Sequence, residues 1–308
     1  MTLPQHLKDL AAQVSNWGRW GAADRRGTIN LIDAAAVQRG IAAAQQGKVI
    51  SLSMAFDEDG PQMGMIPGRD NPTRKMLMID QPMNGDPTDF CTTDDRVEMG
   101  VQAATHWDAL AHASYENLLY NGVSTSTIDE TGSHEHGIER YGPIVSRGIL
   151  LDVARALGVD RLEENHPISG DDLDAAAALA GVTVEPGDIV CVRTGQMQYF
   201  HDGEKMRYIY PAPGMSTLSI PWVRDHDVAA VATDTLVFEC FPPEDPAVWL
   251  PVHMIHIRDM GLCQGQNWDL EALATDCATD GQYQFLLNAT PLPMTRSSGG
   301  AVAPVAIK

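Results

Sequence analysis

Short apolar runs at widely spaced positions constrain the fold of this chain most. Residues 148–153 (Gly-Ile-Leu-Leu-Asp-Val), 189–192 (Ile-Val-Cys-Val), 228–233 (Val-Ala-Ala-Val-Ala-Thr) and 283–289 (Tyr-Gln-Phe-Leu-Leu-Asn-Ala) read as strands. A helical stretch at 171–180 opens on an aspartate, and residues 253–262 also read as helix. Pro186-Gly187-Asp188 supplies the turn before the second run. Strands alternating with helices predict an α/β class with a mixed sheet. Upstream, an Ala-rich helix at 33–46 stops before Gly47, and 49–54 alternates as a strand. Residues 57–73 are rich in Gly, Pro and Met and read as a long loop, with further strands at 75–79 and 97–101. No repeat or linker divides the chain. A helical extension at 1–45 and a single main domain at 46–308 are expected.

With 308 residues the chain can bury a substantial core. Its 44% hydrophobic and 20% charged content is that of a soluble globular protein. A formal charge of −20 repels phosphate, which argues against nucleic acid or an anionic membrane surface as a partner. The five cysteines (Cys91, Cys191, Cys240, Cys263 and Cys277) form no CxxC pair and suggest reduced thiols in a reducing compartment. The opening Met-Thr-Leu-Pro-Gln-His-Leu-Lys lacks the apolar core of a signal peptide, and no run approaches a membrane span. A cytoplasmic location is expected.

Chemistry concentrates at residues 102–112, Gln-Ala-Ala-Thr-His-Trp-Asp-Ala-Leu-Ala-His. Gln102, His106, Asp108 and His112 bring an amide, two imidazoles and a carboxylate together, the groups a divalent metal and a general base require. In an extended segment His106, Asp108 and His112 share one face. In a helix, Gln102 neighbours His106 and Asp108 neighbours His112, but the two pairs diverge. The Ala content suits either conformation, and capping or surface polar groups are the bland alternative.

Other candidates are weaker. His253 and His256 precede Gln266 and Asn267, with His256 expected on a helix surface. His134-Glu135-His136 has metal-ligand spacing but reads as a solvated loop, and His6, His166, His201 and His226 read as surface residues. Asp234-Thr235 lies at a strand end, where either a site or a structural cap is expected. No nucleophile elbow, dinucleotide fingerprint or phosphate loop is present. Met63-Gly64-Met65-Ile66-Pro67-Gly68, Trp17, Trp20 and Trp107 could wall a pocket or pack the core.

Thr105-His106-x-Asp108-Ala109-x-x-His112 resembles the His-x-Gly-Thr-His-x-Asp-x-Pro-x-His signature of the kynurenine formamidase and isatin hydrolase family, often labelled cyclases. Arg147 to Val153, Gly187-Asp188-Ile189-Val190, Arg193-Thr194-Gly195 and Thr233-Asp234-Thr235 are similar to other segments of that family. So are His253 with Gly265-Gln266-Asn267-Trp268-Asp269-Leu270, the C-terminal Pro291-Leu292-Pro293 and 299–307, and Asp24 to Asn30 of its longer bacterial members. The resemblance spans nearly the whole chain. It implies a swivelling β/β/α-like single domain with a mixed sheet, homo-oligomeric assembly (dimer or tetramer), and hydrolysis of an amide or cyclic amide at a divalent metal. By position, His106 and Asp108 would be metal ligands, His112 the general acid/base, and His253 a late ligand.

Two positions depart from the pattern. Gln102 stands at the first-histidine position and Gln266 where the family usually has a bridging Glu. An amide oxygen is a poor zinc ligand, and Asp108 is left as the lone negative ligand where the usual set supplies two. The resemblance therefore implies one divalent ion, manganese or zinc, or none; His106, Asp108, Gln102, His253 and Gln266 are the candidate ligands. The expected function is metal-dependent hydrolysis of an amide, cyclic amide or lactone of a small molecule, with kynurenine itself disfavoured. The alternatives are a lyase or dehydratase on a hydroxylated carbonyl substrate, and a metal-free small-ligand-binding protein.

Overall fold

In the computed structural model, which describes residues 3–308, nine strands form one mixed sheet. In chain order the strands used below are β1 (Val49–Ser51), β2 (Thr73–Pro82), β3 (Cys91–Glu98), β4 (His106–Asp108), β5 (Val145–Asp152) and β6 (Ile189–Arg193). They continue with β7 (Ala230–Thr233), β8 (Cys263–Gln266), β9 (Gln284–Asn288), β10 (Gly299–Ala301) and β11 (Val305–Ile307). The sheet order is β1-β11-β9-β5-β6-β7-β8-β4-β10. Strands β5 to β8 run parallel, and antiparallel strands complete both flanks.

The apolar runs lie where the sequence places them, at the centre of the sheet. Their side chains alternate between two cores: Leu150, Cys191 and Ala232 face one, Leu151, Val192 and Val231 the other. A strand stretch buried on both faces must be apolar, which is why residues 149–151, 189–192 and 230–232 show no polar alternation. Helix α1 (Gln5–Val14) buries Leu7, Ala11 and Val14 in the second core. Helix α2 (Ala34–Ala43) is capped by Asp33, whose side chain accepts from Ala36 N at 2.9 Å, and packs on β5 and β9. Helix α3 (Gly170–Ala180) opens on a capping box between Ser169 and Asp172, and α4 (Glu271–Asp280) follows β8. All five cysteines are free, and four of them are buried. No helix among the described residues is long and apolar enough to cross a membrane.

Three local expectations change. The strand expected at 97–101 ends at Glu98, because β2 and β3 form an isolated ribbon that turns into the body at Met99 and Gly100. That ribbon leaves Leu77, Ile79, Met83, Phe90 and Val97 more than half exposed. His256 is fully buried rather than on a helix surface, because the Pro251–His253 turn and the wider Met254–Met260 turns after it pack directly on the sheet. His136 is also buried, edge-on to Tyr120, whereas His134 stays in the exposed loop paired with Asp129. Trp107 is core: it packs on Trp268 with centroids 4.8 Å apart and donates its ring N–H to Ala289 O.

Candidate metal and catalytic site

The 102–112 segment is extended where it matters. His106 and Asp108 lie on β4, two residues apart, so both face away from Trp107. Strand β4 pairs antiparallel with β8, setting His106 opposite Gln266 and Trp107 opposite Gly265. The close approach needs Gly265, because a Cβ there would lie 2.7 Å from the Trp107 ring. Gln264 and Gln266, again two apart, share the face of His106 and Asp108. After β4 the chain turns back through a hydrogen bond from His112 N to Ala109 O, which returns His112 to the same carboxylate.

Asp108 is the centre of this group and is wholly buried. Its Oδ2 accepts from Gln266 Nε2 at 2.9 Å and from Gln264 Nε2 at 3.3 Å. Its Oδ1 has no hydrogen-bond partner; it lies 3.5 Å from His106 Nε2 and 3.7 Å from His112 Nε2. Burial alone would raise the carboxyl, but the fields of His112, His106 and His253 hold it well below the usual carboxylate range. His106 lies 2.7 Å from Ala104 O through Nδ1. An N–H on that nitrogen donates to the carbonyl and leaves the buried Nε2 a bare lone pair, also unpartnered. Two buried atoms without a hydrogen-bond partner thus face each other 3.5 Å apart.

His112 is the accessible member, with 22% of its side chain exposed. Burial lowers its pKa, and Asp108 opposes that by favouring the imidazolium. Its Nδ1 is 3.4 Å from the Gln102 amide, which also donates to Ser298 Oγ at 3.3 Å. Gln102 therefore bonds His112 and Ser298, not Asp108. On the far side, Gln266 Nε2 stands 3.2 Å from His253 Nε2 while donating to Asp108. His253 donates Nδ1–H to Glu239 Oε1 at 2.6 Å, and Glu239 also accepts from the backbone of Val252 and His253. The amide nitrogen of Gln266 thus lies between Asp108 Oδ2 and His253 Nε2.

All six predicted residues are brought together. Missed from sequence were Glu239, Gln264 and Ser298. Glu239 had a signal, a lone charge inside Val237-Phe238-Glu239-Cys240-Phe241; Gln264 had one in its period-two relation to Gln266. Asp234, by contrast, is a clasp between strand ends, accepting from Thr194 N, Thr194 Oγ1 and Gly195 N. Burial and the Glu271 field push its pKa up to about 7 against the pull of those donors.

The donor set fits one divalent ion. Bonds of about 2.1 Å at a tetrahedral angle separate ligand atoms by roughly 3.4 Å, and His106 Nε2 lies 3.5 Å from Asp108 Oδ1. No three His, Cys, Asp or Glu side chains among the described residues already stand as a cage. The His253 side does not fit a second ion, because a neutral N–H donor faces both of its would-be ligands. An apolar groove of about 410 Å³, lined by Phe56, Val97, Met99 and Leu292 at the root of the β2–β3 ribbon, contains none of the six residues.

Among curated proteins nothing matches this chain. A crystal structure described as a novel cyclase is 34% identical, covers 97% of this chain and 99% of its own, and superposes with a TM-score of 0.88. Isatin hydrolase A of Labrenzia aggregata, bound to benzyl benzoate, shares the fold at 15% identity, with 84% and 93% of the two chains covered and a TM-score of 0.62. A "predicted metal-dependent hydrolase" of Bacillus stearothermophilus matches at 16% identity, with 84% and 97% covered and a TM-score of 0.52. Residues 50–240 match the family described as "Cyclase: Putative cyclase". On that match and the 34% identical relative, the chain belongs to the cyclase family.

Proposed function

We propose that this protein is a hydrolase that cleaves an amide, cyclic amide or lactone bond of a small molecule, using one divalent ion (manganese or zinc) and His112 as general acid/base. The carrying observation is the pair of buried, unpartnered lone-pair atoms, His106 Nε2 and Asp108 Oδ1, with the half-open His112 on the same oxygen. The names of the fold relatives, an isatin hydrolase and a metal-dependent hydrolase, support the reaction class. His106 and Asp108 would hold the ion, which supplies Lewis acidity toward a carbonyl oxygen and toward water.

The chain's own groups handle the proton. Burial keeps His112 neutral near pH 7, so it can accept a proton from an attacking water, and the negative Asp108 stabilises the imidazolium that results. The same ring then returns the proton to the leaving nitrogen or oxygen. The Gln102 amide can donate to a bare Nδ1 or, turned over, accept from Nδ1–H; the second arrangement frees Nε2 to act as the base. Gln264 and Gln266 hold Asp108 by its other oxygen, fixing the direction of Oδ1. His112→Ala should abolish turnover by about a hundredfold or more, the scale of lost acid–base catalysis, while metal content measured by mass spectrometry stays at the wild-type level. Full activity in that variant overturns the role of His112.

A metal-free binding protein is the second reading, favoured by the Gln266 amide, which satisfies Asp108 Oδ2 and His253 without an ion. Purified protein that contains no ion and recruits neither manganese nor zinc would select it. Assembly into a homo-oligomer is part of the proposal, supported by the exposed apolar ribbon and the apolar groove at its root.

A further inference from the structure

Arg69 ends the Met-rich loop and does nothing structural with its charge. Of the chain's sixteen arginines, it is the only one among the described residues whose guanidinium has neither a hydrogen bond nor an ion pair. Even Arg26 and Arg296, which lack a carboxylate partner, donate to Tyr141 O and Thr131 Oγ1. In a chain with 41 acidic and 21 basic side chains, a half-buried arginine without a carboxylate is unexpected. Guanidinium is always charged, so leaving it partly desolvated and unpaired is unfavourable unless something else completes it.

Its position is fixed by backbone. Arg69 N donates to Ile66 O at 3.1 Å, and Gly100 N donates to Asp70 O at 3.2 Å. The stem lies on Gly100, where a Cβ would come within 3.1 Å of Arg69 Cγ and 3.3 Å of its Cα. Gly100 is two residues before Gln102, so the arginine rests on the segment that leads into the donor group. The electrostatics agree. Burial lowers the guanidinium pKa, and Asp108 is the one carboxylate whose field raises it. At His112, the field of Arg69 is larger than that of His106, which shares Asp108 Oδ1 with it. Yet Arg69 forms neither an ion pair nor a hydrogen bond with Asp108, whose partners are Gln264, Gln266, His106 and His112.

We propose that Arg69 is the anion anchor of this site, and that the substrate is a small monocarboxylate whose carboxylate is separate from the bond cleaved. The assignment rests on His106, Asp108 and His112 being the reaction site. Asp108 faces His106 and His112 through Oδ1, and it is also the carboxylate whose field reaches Arg69. A divalent ion on the donor set would add positive charge beside Arg69, and an incoming carboxylate would offset part of it. A guanidinium binds that carboxylate through two parallel N–H donors, fixing the carbonyl to be attacked relative to His112. Arginine is suited to this and lysine less so, because only the planar fork offers two donors at once.

Equilibrium binding tests this without turnover. Titration calorimetry on protein stripped of metal, with the matched probes benzoate and benzamide and N-acetylglycine and N-acetylglycinamide, isolates the carboxylate from the rest of the ligand. The wild type should prefer the carboxylate in at least one pair by about tenfold, the scale of a hydrogen bond to a charged group. R69Q should lose that preference with its affinity for the amide unchanged, R69K should keep part of it, and His112→Ala should keep all of it. Equal binding of both members of both pairs by the wild type, or full discrimination retained by R69Q, overturns the proposal. A carboxylate preference that depends on Arg69 in a protein that hydrolyses nothing would sustain the anchor and remove the hydrolase reading instead.

Discussion

Gln266→Glu gives the sharpest test of how this site is built, because it changes one group and no volume. In the wild type, the amide nitrogen stands 2.9 Å from Asp108 Oδ2 and 3.2 Å from His253 Nε2, donating where the variant would place an acceptor. Two carboxylates at that separation repel by about 6 kcal/mol at an effective dielectric of about 20. The penalty has a ceiling, since the introduced carboxylate can take a proton instead. Protonating a group of pKa about 4.3 at about pH 7.5 costs roughly 4 kcal/mol, so the lower figure governs. For a chain of this length that corresponds to a fall in melting temperature of about 8 °C. A divalent ion held between Asp108, the introduced carboxylate and His253 removes the repulsion. Thermal melts in EDTA and in excess manganese, together with metal counting, measure both halves. The expected result is a variant that melts about 8 °C low without metal, regains that loss with manganese, and carries one more ion than the wild type. A variant that melts within about 2 °C of wild type in EDTA would contradict this account of the site. So would one that gains nothing from manganese, because Gln266 could not then be standing in for a bridging ion.

Two other outcomes follow from the same structure. His136 and His256 are buried with no hydrogen-bond partner on either ring nitrogen, and burial pulls their pKa values down to about 4 and about 3. The unfolded chain binds these protons near pH 6.5 and the folded one does not, so stability falls as pH drops below 6.5 and levels off near those lower values. Each should cost about 2 kcal/mol at about pH 5, read by urea unfolding at the two pH values, and His136→Phe should remove about half of the loss. An unchanged pH slope in that variant would show that His136 is not the group titrating. For assembly, Ile79→Asp and Phe90→Asp on the ribbon should lower the mass seen by sedimentation without lowering the melting temperature of the remaining species. An unchanged mass would place the interface elsewhere.

Much of the fold was legible because the middles of strands β5 to β7, residues 149–151, 189–192 and 230–232, are apolar without a break, a pattern that little but a two-sided burial produces. The conformation of residues 102–112 was not, and the reason is physical. A three-residue strand in an Ala-rich context carries little propensity of its own. It is extended because β8 and β10, more than 150 residues away, supply partners whose glycines admit Trp107. Distance in sequence hid Glu239 for the same reason, since its meaning is the hydrogen bond to His253. His256 was misplaced because a helix packed on both sides has no surface face, and only the contacts with Phe238 and the sheet reveal that.

What sequence could register at Gln102 and Gln266 was a departure from a pattern, with no way to see what the departures do. The geometry gives each amide a separate task, and Gln264 joins Gln266 as a donor to Asp108. Gln264 and Gln266 occupy one carboxylate oxygen and leave the other bare toward His106 and His112. Gln102 meets the outer nitrogen of His112. An amide can donate and accept but never brings a charge, so this arrangement orients the single carboxylate without adding a second negative group. One negative charge shared by an imidazole base, a single ion and the unpaired Arg69 leaves the site short of anions in a protein otherwise rich in them. The carboxylate ligand proposed for Arg69 would supply negative charge there, and the glutamines would then favour such a substrate as well as disfavour a second metal.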